Sequence, residues 1–100
     1  LCNKSKIYIP NAFTPNNDGL NDRFMPSGIG YSVIRSMRIF NRWGELVYEQ
    51  LNLPVTDRSK GWDGTQRGMP LPPGVYVYTI EIECEENNIE LFRNTFSLIR

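Results

Sequence analysis

Histidine does not occur in this chain of 100 residues. That removes the commonest general base and metal ligand, and with it every Ser-His or Cys-His nucleophilic arrangement. Paired carboxylates could still act as acid and base, but they need a cleft holding them about 5–10 Å apart. A lone domain of this size rarely supplies one, so no enzymatic activity is expected. An excess of charge of one sign is also missing. Lys+Arg and Asp+Glu are both 11, a formal net charge of zero, which argues against phosphate-driven nucleic-acid binding. No apolar run approaches the roughly 20 residues that cross a bilayer, so no membrane-spanning segment is expected. Cysteine is scarce: Cys2 and Cys84 only. An even count points to a bridge in a secreted chain. Cys84 also continues the inward set of its strand as a small core residue would, and both readings stay open.

Nothing at the N-terminus has the form of a signal peptide, and the chain begins at Leu1 rather than Met. The expectation is a piece of a longer protein, with 1–5 a linker stub and 6–100 a single domain. Hydrophobic residues make up 40% of the chain, enough for a core at a length where about two-thirds of the unfolded surface can be buried.

What is present is period-2 alternation punctuated by turn residues. Lys6 to Phe13 reads as a first strand with Ile7, Ile9 and Phe13 inward, and Pro10 marks an edge or a break. Thr14 to Asp22 is turn chemistry, Arg23 to Pro26 a short strand, and Tyr31 to Phe40 a longer one. Met37 and Ile39 share a face. Asn41-Arg42-Trp43-Gly44 is a hairpin turn with Gly44 where positive φ is needed. The return strand places Leu46 and Tyr48 on one side and Val47 on the other. A short edge strand is expected near Val55. Gly61-Trp62-Asp63-Gly64 sets a large aromatic between two glycines, so that Trp62 can turn inward as a plug. Gly68 to Gly74 reads as turns. Val75 to Cys84 places Tyr76, Tyr78, Ile80, Ile82 and Cys84 on one face. Ile89 to Arg100 closes the chain, with Phe92, Phe96 and Leu98 together. About seven strands and no helical period imply an all-β, Ig-like antiparallel sandwich.

Eight of the basic residues are Arg. Glu81 and Glu83 lie one strand period apart, so arginine–glutamate ladders on a solvated sheet face are expected. The oxygen-rich segment Asn16, Asn17, Asp18, Gly19, Asn21 and Asp22 offers donors that a calcium ion favours, though it lacks the spaced carboxylates of a helix-loop-helix calcium site. Capping of its own turns through Asx hydrogen bonds is the preferred reading, with no cofactor. Tyr31, Trp43, Tyr48, Tyr76 and Tyr78 could stack sugars, but most sit at core positions. Trp43, at a hairpin tip, is the candidate for ligand contact.

Four segments in order, IPNAFTPNNDGLNDRF, MRIFNRWGELVYE, GWDGTQRGMPLPPGVYVYTI and the closing FSLIR, resemble the gliding-motility-associated C-terminal domain, the type B sorting domain of the type IX secretion system. The resemblance runs from about Ile7 to Arg100. Its first motif falls on Phe13, Thr14, Pro15, Asn16, Asp18, Gly19, Asn21, Asp22 and Phe24, with Asn17 standing where the family pattern usually has glycine. The second falls on Phe40, Asn41, Arg42, Trp43 and Gly44. The third falls on Gly61, Trp62, Asp63 and Gly64, the fourth on Gly74, Val75 and Tyr76, and the closing strand on Leu98, Ile99 and Arg100. The last strand's approach, NNIELFRNTF, lacks the family's usual glycine.

The resemblance implies a non-catalytic sorting domain at the end of a larger exported cargo, such as a surface adhesin or a polymer-degrading enzyme. The outer-membrane secretion machinery reads it in the periplasm, and the cargo ends at the cell surface or outside. The recognition residues expected are Asn16, Asp18, Asn21, Asp22, Trp43, Phe96, Leu98, Ile99 and Arg100. A partner could reach the last five residues by strand addition. Phe13, Pro15, Gly19, Gly44, Trp62, Asp63, Gly64, Gly74 and Tyr76 are expected to be structural. The competing reading is an Ig-like cell-surface binding module for glycan or protein.

Overall fold

The structure, a computed structural model, describes residues 7–15, 23–27, 33–54, 60–83 and 89–99. Among these residues seven strands follow in chain order: β1 (Ala12–Phe13), β2 (Val33–Phe40), β3 (Leu46–Pro54), β4 (Thr65–Gln66), β5 (Met69–Pro70), β6 (Gly74–Glu83) and β7 (Ile89–Leu98). Five of them form one sheet in the order β1-β7-β6-β2-β3, and β4 and β5 pair as a separate hairpin. The protein is all-β, consistent with a sandwich.

The central strand β6 obeys the expected alternation. Tyr76, Tyr78, Ile80 and Ile82 are buried, and the residues between them face outward. Such one-sided burial is the mark of an antiparallel sheet with one wet face. β7 follows the same side with Phe96 and Leu98 buried and Phe92 packed against them.

The second layer is built from short pieces rather than long strands. Phe13, Phe24, Met25 and Trp62 are all fully buried. Phe24 stacks on Phe96 with ring centroids 4.0 Å apart, and Trp62 meets Tyr76 edge-on at 5.3 Å. Arg23–Pro26 was expected as a strand; it supplies instead the isolated bridge Phe24–Trp62. The first strand is likewise shorter than Lys6–Phe13. Only Ala12–Phe13 pairs as a strand, and Tyr8 bridges Ser27 separately. Pro10 and Pro26 remove donors that longer ladders would need. Gly68 to Gly74 was expected as turns, but Met69–Pro70 pairs with Thr65–Gln66 as the β4–β5 hairpin. It pivots on Arg67 and Gly68, both at positive φ.

Two irregularities decide which side chains reach the core. Between Ile34 and Ser36 the pairing of β2 with β6 shifts register, and opposite Arg35 on β3 stands Asn52 at φ 54°. The parity of both strands changes there. Met37 and Ile39 face inward on one side of the break, Ile34 with its partner Leu53 on the other. Asn is among the few non-glycine residues that accept this conformation, and its side-chain oxygen accepts from Arg35 Nη1 at 3.2 Å. The second shift lies between Ile39 and Phe40. It corrects the return strand: Leu46 is exposed, Val47 is buried and Tyr48 is half-buried. A bulge adds one residue and so breaks a period-2 count. The proposed edge strand near Val55 falls outside the described residues.

Candidate recognition surface

The closing strand is joined to the start of the chain. β1 runs parallel to the end of β7, with Ala12 opposite Ser97 and Phe13 opposite Leu98. The Ser97 amide donates to Asn11 O at 2.9 Å, and the Ile99 amide to Phe13 O at 3.0 Å. Phe96 and Leu98 send their side chains into the core, whereas Ile99 is exposed. The main-chain edge of 97–99 is therefore occupied by β1, which takes the place strand addition would need. Beyond it, among the described residues, no strand pairs with the same edge of residues 89–96. There Thr95 N–H is taken by Asn94 Oδ1 at 2.8 Å.

The tryptophan corner is held from several directions. Trp62 donates its indole N–H to Thr65 O at 2.9 Å and exchanges backbone bonds with Phe24. Gly61 permits this approach: a Cβ there would stand 3.0 Å from Arg23 Cβ and 3.1 Å from Phe24 O. Asp63 Oδ1 accepts from Thr65 Oγ1 at 2.6 Å and from Thr65 N at 3.1 Å. Partial burial pushes the Asp63 carboxyl up, but these hydrogen bonds and the Arg23 charge outweigh it, and its pKa falls below the usual value. Gly64 continues the turn at φ 84°. Tyr76 is anchored by its hydroxyl, which donates to Pro72 O at 2.7 Å.

Burial raises the Tyr78 and Tyr48 hydroxyls above their ordinary range, and a hydrogen bond from Gln50 opposes it only partly at Tyr48. Tyr48 also donates to Lys60 O at 2.6 Å.

The β2–β3 turn presents Trp43. Asn41 Oδ1 accepts from the amides of Trp43 and Glu45, and Gly44 closes the turn at φ 83°. Trp43 is 74% exposed, with the Arg42 guanidinium 4.9 Å from its ring centroid. Of the expected arginine–glutamate ladders the wet face shows two separate pairs among the described residues, Arg38 with Glu49 at 2.6 Å and Arg35 with Glu83, whereas Glu81 accepts from Ser36 Oγ at 2.8 Å.

The other predicted residues stand as follows. Phe13 is buried and Pro15 half-buried, while Gly74 has φ 149°. Asn16, Asp18, Gly19, Asn21, Asp22 and Arg100 lie outside the described residues, as do Cys2 and Cys84. So does the calcium reading of 16–22. Among the described residues no acidic or cysteine cluster could hold a metal, and no helix is long and apolar enough to cross a membrane.

One feature escaped the sequence reading. A groove of about 430 Å³ on the wet face is lined by Phe40, Asn41, Arg42, Gly44, Val77, Thr79 and Arg93. Three strands and a turn contribute, so only the cross-strand register brings them together.

Comparison with curated proteins finds no match for this chain. A family model, the CHU_C type IX secretion signal domain, matches residues 7–95. With nearly the whole length matched, the chain belongs to the CHU_C type IX secretion signal domain family.

Proposed function

We propose that this domain, residues 6–100 behind a short linker at 1–5, is the sorting tag of a larger cargo and performs no reaction itself. It directs that cargo from the periplasm across the outer membrane, to the cell surface or beyond. The family match carries the secretion-signal role. The joining of β1 to β7 supports a signal read by shape, because a surface made from both ends of the domain exists only after folding. The residues assigned to recognition by the outer-membrane machinery are Asn16, Asp18, Asn21, Asp22, Trp43, Ile99 and Arg100. Phe96 and Leu98 act from the core by fixing the strand that leads into Ile99. The test is a reporter fused to the domain with residues 98–100 deleted. Loss of export from a still-folded deletion supports the reading; normal export overturns it.

A second reading, a surface module that binds glycan or protein, is favoured by the exposure of Trp43 at the turn tip. Retention of the isolated domain on a glycan array, lost in Trp43→Ala, would support it.

A further inference from the structure

Among the described residues, four exposed or half-exposed arginines stand on or beside the wet face, and they divide into two kinds. Arg35 and Arg38 are neutralised by Glu83 and Glu49. Arg42 and Arg93 meet no carboxylate among the described residues. Both unpaired arginines border the same groove. Its floor is the cross-strand pair Phe40 and Val77, and Thr79 lies beside Arg93 across the strands. Glu45, the acid nearest in the turn, is engaged by Asn41 Nδ2 at 2.8 Å.

Arg42 lies between the turn and the start of β6. Its guanidinium lies over the Trp43 ring at 4.9 Å, and its Nη2 lies 4.0 Å from where a Cβ on Gly74 would stand. That guanidinium presents a planar fork suited to a carboxylate.

We propose that this groove docks an acidic, extended segment of a partner protein, with carboxylates on Arg42 and Arg93 and an apolar side chain on Phe40 and Val77. Alternate residues of an extended chain share a face, so a segment with acidic and apolar residues at alternating positions can present both kinds of side chain to the groove at once. A small hydrated anion would leave that floor unused, and a flat anionic bilayer would not enter a concave groove. That the partner belongs to the export machinery rests on the sorting reading above.

The probe is the blocked pentapeptide Glu-Ser-Val-Ser-Glu, titrated into the 100-residue chain and followed by amide NMR shifts and Trp43 fluorescence. The expected result is saturable binding that moves Val77, Thr79 and Arg93 and weakens with salt. Arg42→Gln with Arg93→Gln should weaken it about tenfold or more, while Arg38→Gln, whose arginine is already paired, should change it less than about twofold. Retained amide dispersion in the double variant shows that the fold survives. No binding, binding indifferent to the double variant, or equal effects from the Lys-Ser-Val-Ser-Lys peptide, inorganic phosphate or phosphatidylglycerol vesicles would overturn the groove.

Export of a reporter fusion separates the two claims. If the unmodified fusion is exported and the double variant is not, the groove serves export. If both are exported equally, the groove assignment fails alone. If neither the unmodified fusion nor the variant is exported, the sorting reading fails and takes the proposed partner with it.

Discussion

The amide of Ile99 donates to the carbonyl oxygen of Phe13 at 3.0 Å, fastening the end of the chain to its beginning. Directly beside this bond, Phe13 lies opposite Leu98, and its ring sits 5.5 Å from Trp62 and 6.0 Å from Phe96. The hydrogen bonds therefore depend on a shared aromatic core.

Phe13→Ala should cost about 3–5 kcal/mol of stability, since it opens a cavity among rings that cannot collapse freely. Urea unfolding midpoints measure it. A loss under about 1 kcal/mol would mean that β1 is not fixed through its core side chain.

Glycine substitutions separate crowding from backbone strain. Gly61→Ala meets Arg23 Cβ and Phe24 O and should cost about 1–3 kcal/mol by overpacking the Trp62 corner. Gly44 has nothing within 4 Å of its would-be Cβ, only a φ of 83°. Gly44→Ala should therefore cost about 1–2 kcal/mol through the left-handed backbone alone, and Gly44→Asn less. Thermal unfolding of the three variants distinguishes these causes.

Acid should weaken the fold through Asp63. Its folded pKa lies below the ordinary value near 3.8, so the unfolded chain takes up the proton first as pH falls. The stability it contributes is complete above about pH 4 and fades as pH drops through the folded value. Asp63→Asn should flatten that limb of a stability–pH curve. An unchanged acid limb would count against the assignment.

Alkali should act through Tyr78. Burial raises its pKa above 10.0, so the unfolded chain loses this proton first. Stability is full below about pH 10 and falls as pH rises through the folded value. Tyr78→Phe should leave stability at pH 7 nearly unchanged and reduce the loss at pH 11, which chemical denaturation at the two pH values can read.

The exposed Arg38–Glu49 pair should matter little. Glu49→Gln is expected to change stability by less than about 1 kcal/mol, in keeping with solvated ion pairs. A double-mutant cycle with Arg38→Gln measures the coupling.

Much was legible in the order of residues alone. The alternation through Tyr76, Tyr78, Ile80 and Ile82 specifies a strand with one buried face, because side chains repeat every two residues along any extended chain. Gly44 marks its turn, and the glycines around Trp62 mark a corner, because local φ requirements are properties of single positions. The candidate recognition residues around Trp43 and Ile99 came from motif order, which says what is related but not where it lies.

Only the tertiary structure decided what crosses between strands. The bulge at Ile39/Phe40 turned Val47 inward and left Leu46 exposed, and the break at Arg35 and Asn52 switched the parity of β2 and β3 together. A single inserted residue leaves no periodic trace, yet it resets every contact beyond it. The parallel pairing of β1 with β7, and the placing of Arg42 and Arg93 around one groove, are long-range relations of the same kind. Local propensity determined that this chain makes strands; side-chain packing across them determined which edge is closed and which arginines line one groove.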